Sequence, residues 1–145
     1  MKIHQIAIFM ENKPGHLMGI CRTLAGAGVS ITTLSLADTQ QYGILRLITE
    51  SWEKARAVLD KAGYVVNITE VLAVEVVDKP GGLLQVLEII GGGDINIEYM
   101  YAFTFRHGEK AVMVFRFNDP DKAIALLSNA GVKVLDGVTL FNGMN

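Results

Sequence analysis

The sequence predicts an α+β fold: two βαββαβ plaits side by side, each an antiparallel sheet with helices on one face. Three observations carry that prediction. The turn Lys13-Pro14-Gly15 recurs as Lys79-Pro80-Gly81. The apolar stripe Leu17, Ile20, Cys21 and Leu24 recurs, at the same offset, as Leu83, Val86, Leu87 and Ile90. The order of strand-like and helix-like segments also restarts in the second half. Coincidence can match one stripe; two stripes, two turns and the glycines that end the helices, all in register, are an internal repeat.

The first copy reads as follows. Ile3 to Met10 sets Ile6, Ile8 and Met10 against Ala7 and Phe9, the period of a strand. Glu11-Asn12-Lys13-Pro14-Gly15 then reads as a helix start, with proline in the first helical turn, where its missing N–H is harmless. The stripe from Leu17 to Leu24 is amphipathic, and Gly26-Ala27-Gly28 closes the helix. Val29 to Ala37 is a second strand, Asp38 to Gly43 a polar turn and Ile44 to Thr49 a third strand. Ser51 caps a second helix, with Ala55, Val58, Leu59 and Ala62 on its dry side and Lys54 and Arg56 on its wet side. Gly63 ends it, and Val65 to Ile68 is the fourth strand.

Val71 to Val76 restarts the pattern, and Ala123, Leu126, Leu127, Ala130 and Gly131 echo Ala55, Val58, Leu59, Ala62 and Gly63. The offset lengthens slightly on the way, which places an insertion in the second hairpin near Arg106-His107-Gly108-Glu109. Thr69-Glu70 leaves almost no linker, so the expected domains are residues 1–69 and 70–145. Right-handed crossovers turn each copy into a ferredoxin-like plait. A unit of about 70 residues has a marginal core by itself, which favours docking of the two.

Composition excludes several functions. Of 145 residues, 50% are hydrophobic and 19% charged, with net charge −2. With a pI near 5.9 and no basic tract, no nucleic-acid surface is expected. No run approaches the roughly 20 apolar residues of a membrane span, and no signal-peptide pattern opens the chain, so the expected location is the cytoplasm. Cys21, the single cysteine, lies on a core stripe and reads as filler. His4, His16 and His107 show no metal-ligand spacing, the carboxylates no acid–base pairing, and Gly91-Gly92-Gly93 follows a helix instead of opening one. No catalytic residue, metal or cofactor is therefore expected. Tyr99, Tyr101, Phe103 and Phe105, with Phe115 and Phe117, would suit base stacking on a plait sheet. The basic signature that accompanies such stacking is missing from Ala111 to Phe117, so packing is the expectation.

A strand ending in a short polar residue, then Lys-Pro-Gly, an apolar helix, a glycine-rich end and Val29-Ser30-Ile31 or Ile95-Asn96-Ile97 resembles the ACT domain, twice over. ACT domains are small regulatory modules, many of which bind amino acids. The resemblance implies a continuous sheet across the pair, with ligands held between the turn before the first helix of one domain and the second strand of its neighbour. It extends to stand-alone tandem ACT proteins, which have no catalytic domain. Glu11, Asn12, Pro14 and Gly15 match the turn of the serine-binding ACT domain of phosphoglycerate dehydrogenases, with Met10 in place of its histidine. In the second copy Asp78 replaces the asparagine of that turn and Val76 the histidine; at the second-strand asparagine stand Ser30 and Asn96.

The expected ligand-binding residues are thus Glu11, Asn12, Gly15, His16, Leu17, Ser30 and Ile31 from the first copy and Asp78, Gly81, Gly82, Leu83, Asn96 and Ile97 from the second. Two unequal sites follow from the pseudo-symmetry: Asn12 with Asn96, and Asp78 with Ser30. The first is favoured, since Asp78 would repel a carboxylate. The plainer alternative gives Asn12 a helix-capping role and Asn96 a strained turn. The expected function is that of a regulatory protein, not an enzyme, that binds an amino acid and is read by a regulated enzyme or regulator protein. The alternative is a ligand-free dimerisation or protein-interaction module. Both faces of several strands are apolar, which predicts a homodimer.

Overall fold

Strand β1 (Ile3–Glu11) forms where Ile6 and Ile8 alternate with Ala7 and Phe9; Ile6, Ala7 and Ile8 are all buried, and Phe9 is exposed. Ile6 and Ile8 lie opposite Leu47 and Leu45 of β3 (Tyr42–Ile48), and those two lie opposite Leu34 and Leu36 of β2 (Thr33–Asp38). The computed structural model describes residues 1–38 and 41–142. The chain divides into two units: His4–Thr69, and the residues from Glu70 onward together with Met1–Ile3.

In the first unit, helices α1 (His16–Gly26) and α2 (Trp52–Lys61) bury Ile20, Leu24, Ala55 and Leu59 against Ile6, Ile8, Leu45 and Leu47. Each of the Ile and Leu side chains contributes on the order of 1.5–3 kcal/mol when removed from water. The fourth strand is β4 (Val65–Val77), and the hydrogen-bonded order is β2-β3-β1-β4, that of the predicted plait. The turn expected over Asp38–Gly43 falls partly on residues 39–40, which lie outside the described residues, and Gly43 is already in β3.

Two further boundaries and one cap differ from the sequence reading. β2 starts at Thr33, not Val29, because Val29 completes the exit of α1. Its N–H donates to Leu24 O (3.0 Å) while the N–H of Gly28, at φ 71°, donates to Ala25 O (3.0 Å). That paired bonding, with an apolar residue after the glycine, is a Schellman motif. Thr69-Glu70 is not a break: β4 runs through both residues. Ser51 stands at the start of α2 without a side-chain cap bond.

The second unit repeats the order with the later part of β4, α3 (Gly82–Gly91), β5 (Ile97–His107), β6 (Lys110–Phe117), α4 (Pro120–Asn129) and β7 (Val134–Leu135). β4 pairs β6 along one edge and β7 along the other, and β5 flanks β6. Leu72, Val74, Val76, Val86, Ile90, Phe115, Phe117, Ala123 and Leu127 form its core. The added residues of this copy show as a register shift in β5 between Ala102 and Arg106, where a bulge breaks the aromatic alternation. Phe115 and Phe117 stack at 5.3 Å inside the core, and Phe103 is buried. A short helix α5 (Gly137–Asn142), capped by Asp136 through Thr139 N–H (2.7 Å), was not expected from the sequence. Its six residues are too few to show a period.

Candidate functional site

The repeated Lys-Pro-Gly segments fold as type II β-turns, which corrects the sequence reading of proline as the first helical residue. Pro14 precedes the N-cap, which is Gly15 at φ 89°, ψ −16°, and Pro80 precedes Gly81 at φ 87°, ψ −5°. Proline at the second and left-handed glycine at the third position is the sequence requirement of that turn. His16 N–H donates to Lys13 O (3.4 Å), and Gly82 N–H to Lys79 O (2.9 Å), closing each turn. Proline at a helix start does occur in this chain, at Pro120 in α4, where Asp119 caps by accepting from Lys122 N–H (3.1 Å).

The chemical consequence lies in what a glycine cap omits. The N-cap residues of α1 and α3 are glycines, which have no side chain to offer the first-turn N–H groups, and neither helix carries an acidic residue in that turn. Both helix starts therefore keep the partial positive charge that a carboxylate would offset. The N-cap position of α1 is Gly15, not Asn12. The Asn12 backbone N–H donates to Gln41 O (3.0 Å), fixing the turn to the residue before β3.

The two turns differ in their charged neighbours. In the first, Lys13 Nζ lies 2.8 Å from the Glu11 carboxylate. That hydrogen-bonded ammonium holds the Glu11 carboxyl below the usual carboxylate range, and His16 adds a smaller effect in the same direction. In the second, the Arg106 guanidinium bonds the Asp78 carboxylate. Arg106 offsets the charge that was expected to repel a ligand carboxylate there. Gly82 is also sterically required: a Cβ on it would stand 1.8 Å from Val77 O. His16 holds the matching place in the first turn.

Of the remaining expected residues, Ser30 is exposed, Ile31 half-buried, and both precede β2 instead of belonging to it. Leu17 packs on the first core, and Leu83 is 38% exposed. Asn96 is exposed just before Ile97 opens β5, and its backbone is held in a reciprocal pair. Its N–H donates to Asn118 Oδ1 (2.9 Å), and Asn118 N–H donates to Asn96 O (3.1 Å). The left-handed residue of that loop is Asp94, at φ 55°, so Asn96 does not absorb the turn. The sequence reading missed Arg106 and Asn118; each lies far in sequence from the residue it holds.

Among the described residues no group of three His, Cys, Asp or Glu side chains is placed to hold a metal ion. His4 stacks on Trp52 at 4.3 Å, and His107 meets the buried Glu75 carboxylate. No helix of the described residues is long and apolar enough to cross a membrane.

A profile of the ACT domain pair matches residues 1–140. No curated protein matches the sequence. Among solved structures, protein BT0572 from Bacteroides thetaiotaomicron is 33% identical with a TM-score of 0.91, over 97% of this chain and 96% of that one. The regulatory subunit of aspartate kinase from Thermus flavus is similar at 15% identity and a TM-score of 0.63, over 90% of this chain and 94% of that one. Aspartate kinase from Synechocystis is similar at 21% identity and a TM-score of 0.59, over 94% of this chain and 28% of that one. The last two likenesses are of fold.

Proposed function

The chain belongs to the ACT domain family, as a pair of ACT domains, and on that footing we propose that it is a regulatory protein whose state is set by binding a free amino acid. The observation that carries this reading is the pair of glycine-capped helix starts. Each offers backbone N–H groups and a helix dipole to a carboxylate, with no acidic residue in the first turn and no side chain on the cap residue. At the first, Glu11 and Asn12 stand beside the turn as acceptors for an ammonium, and an asparagine serves either charge without carrying one. The expected ligand residues of both copies, Asn96 included, remain part of this proposal.

The ligand works by population shift. It stabilises whichever conformation binds it better, by its difference in affinity, and a partner enzyme or regulator protein reads that conformation. The protein performs no reaction of its own in this reading. The reading includes a homodimer, supported by strand β2. That strand pairs β3 and leaves Leu34 and Leu36 roughly half exposed, at 45% and 47%. An apolar strand edge of this kind is normally covered.

A thermal-shift screen against the common L-amino acids tests the proposal. A saturable rise in melting temperature with one amino acid or a related few is expected, amounting to about 2.7 kcal/mol at a hundredfold excess over Kd. A flat response to every amino acid from a stable dimer would favour the interaction module instead.

A further inference from the structure

The two units differ at one place where the repeat should make them alike. Helix α2 ends in Gly63-Tyr64 and α4 in Gly131-Val132, both in the same Schellman bonding: Tyr64 N–H donates to Leu59 O (3.1 Å) and Val132 N–H to Leu127 O (2.9 Å). In the first unit the Tyr64 side chain lies across α1. Its hydroxyl is so close to Gly19 that a Cβ there would be 2.8 Å from it. In the second unit Val132 holds the place of Tyr64, and Gln85 the place of Gly19.

Where the first unit has a phenol ring, the second has a cavity of about 580 Å³, within the roughly 300–1,000 Å³ of small-molecule sites. Val86, Ile89 and Val132 give it hydrocarbon walls. Lys110 also borders it, but its ammonium is taken up at 3.6 Å by Glu75, whose side chain is only 6% exposed and also meets His107. Two charges of opposite sign remain: Lys133, which follows Val132, and Glu88 on α3, with the Gln85 amide one turn before it. Neither Lys133 nor Glu88 forms an ion pair with another described residue, although the charge of Lys133 is felt at the Asp136 carboxyl.

We propose that this cavity seats a zwitterion with a branched hydrocarbon chain, an apolar amino acid. Its carboxylate faces Lys133, its ammonium faces Glu88, and its side chain lies against Val86, Ile89 and Val132. The Gln85 amide serves either charged group. Tyr64 stands at the matching place of the first unit, so the proposal is for the second unit alone. This inference rests on the reading of the protein as an amino-acid binder and adds to it a place and a side-chain class separate from the Asn12 turn.

The test is calorimetric titration of the full chain with L-leucine, with 4-methylpentanoate, which lacks the ammonium, and with 3-methylbutylamine, which lacks the carboxylate. Leucine is expected to bind and both analogues to bind at least about tenfold more weakly. Gln85→Gly combined with Val132→Tyr rebuilds the filled arrangement the first unit already tolerates, and should abolish leucine binding. Lys133→Met, at an exposed position, should weaken it about tenfold or more with the melting temperature unchanged, which keeps the test decisive if the double variant folds poorly. Leucine binding that survives in both the filled variant and Lys133→Met, or an analogue that binds as tightly as leucine, overturns the proposal. If leucine does not bind but L-serine binds and Asn12→Ala removes it, the cavity proposal fails and the amino-acid reading stands. If no amino acid binds, both fail.

Discussion

Three glycine-to-alanine substitutions separate the forces that set the helix starts. At Gly15 a Cβ would meet no heavy atom within 4 Å, so the only cost is holding an L-residue at φ 89°. The left-handed penalty of roughly 1–2 kcal/mol, partly offset by the smaller entropy of the unfolded chain, leaves a net loss of about 1 kcal/mol. At Gly82 the φ is ordinary, but the new Cβ would stand 1.8 Å from Val77 O. A backbone oxygen at the end of a strand cannot swing aside as a flexible side chain would, so α3 or the end of β4 must move, and the loss should reach about 3 kcal/mol. At Gly26, the last residue of α1, with no atom within 4 Å and no left-handed φ, alanine should gain up to about 0.5 kcal/mol from helix propensity. Urea denaturation with linear extrapolation reads all three. Stability should fall in the order Gly26→Ala, wild type, Gly15→Ala, Gly82→Ala. A Gly82→Ala protein as stable as the wild type, or a Gly15→Ala loss exceeding that of Gly82→Ala, would refute this account of the two turns.

Other outcomes follow from the same geometry. Asp119→Ala removes the side-chain cap of α4 and should cost about 1 kcal/mol in urea unfolding, while Asp119→Asn should cost little. Because Lys13 lowers the folded-state value of the Glu11 carboxyl, the pair adds stability above the unfolded value and loses it as pH falls through the folded one. Wild type should therefore melt higher than Glu11→Gln near neutrality, with the gap closed at about pH 2, below the ordinary carboxylate range; a gap independent of pH would contradict the pairing. Light scattering at micromolar concentration should report twice the chain mass of 15.8 kDa, and Leu34→Lys with Leu36→Lys should shift it to the monomer. A wild-type monomer would remove the dimer from the reading.

The βαββαβ order was legible in both copies because each element has a period. Ile6 and Ile8 alternate, Ile20 and Leu24 recur at helical spacing, and each pattern returns in the second half. What escaped is what period cannot encode. Val29 is as apolar as any strand residue, yet the exit of α1 uses it. Lys-Pro-Gly was read as a helix start, which is right as to place and wrong as to cause: the proline and glycine serve a β-turn, and the glycine is the cap. At the candidate site, the residue types that could meet a carboxylate were visible in the chain. The partners that settle their state were not, since Arg106 reaches Asp78, and Asn118 reaches Asn96, only through tertiary folding. The cavity beside Val132 was hidden for a related reason. It comes from the absence of a ring, and only the filled place at Tyr64 and Gly19 gives that absence meaning.

The central claim is that a free amino acid is the ligand. Calorimetric titration of the full chain with the amino acid that most raises its melting temperature tests it most directly. The account predicts saturable heat, at a stoichiometry of at least one ligand per chain, that disappears when the methyl ester replaces the free amino acid, since the ester has no carboxylate. Equal binding of the ester, or no saturable heat with any amino acid, would contradict it.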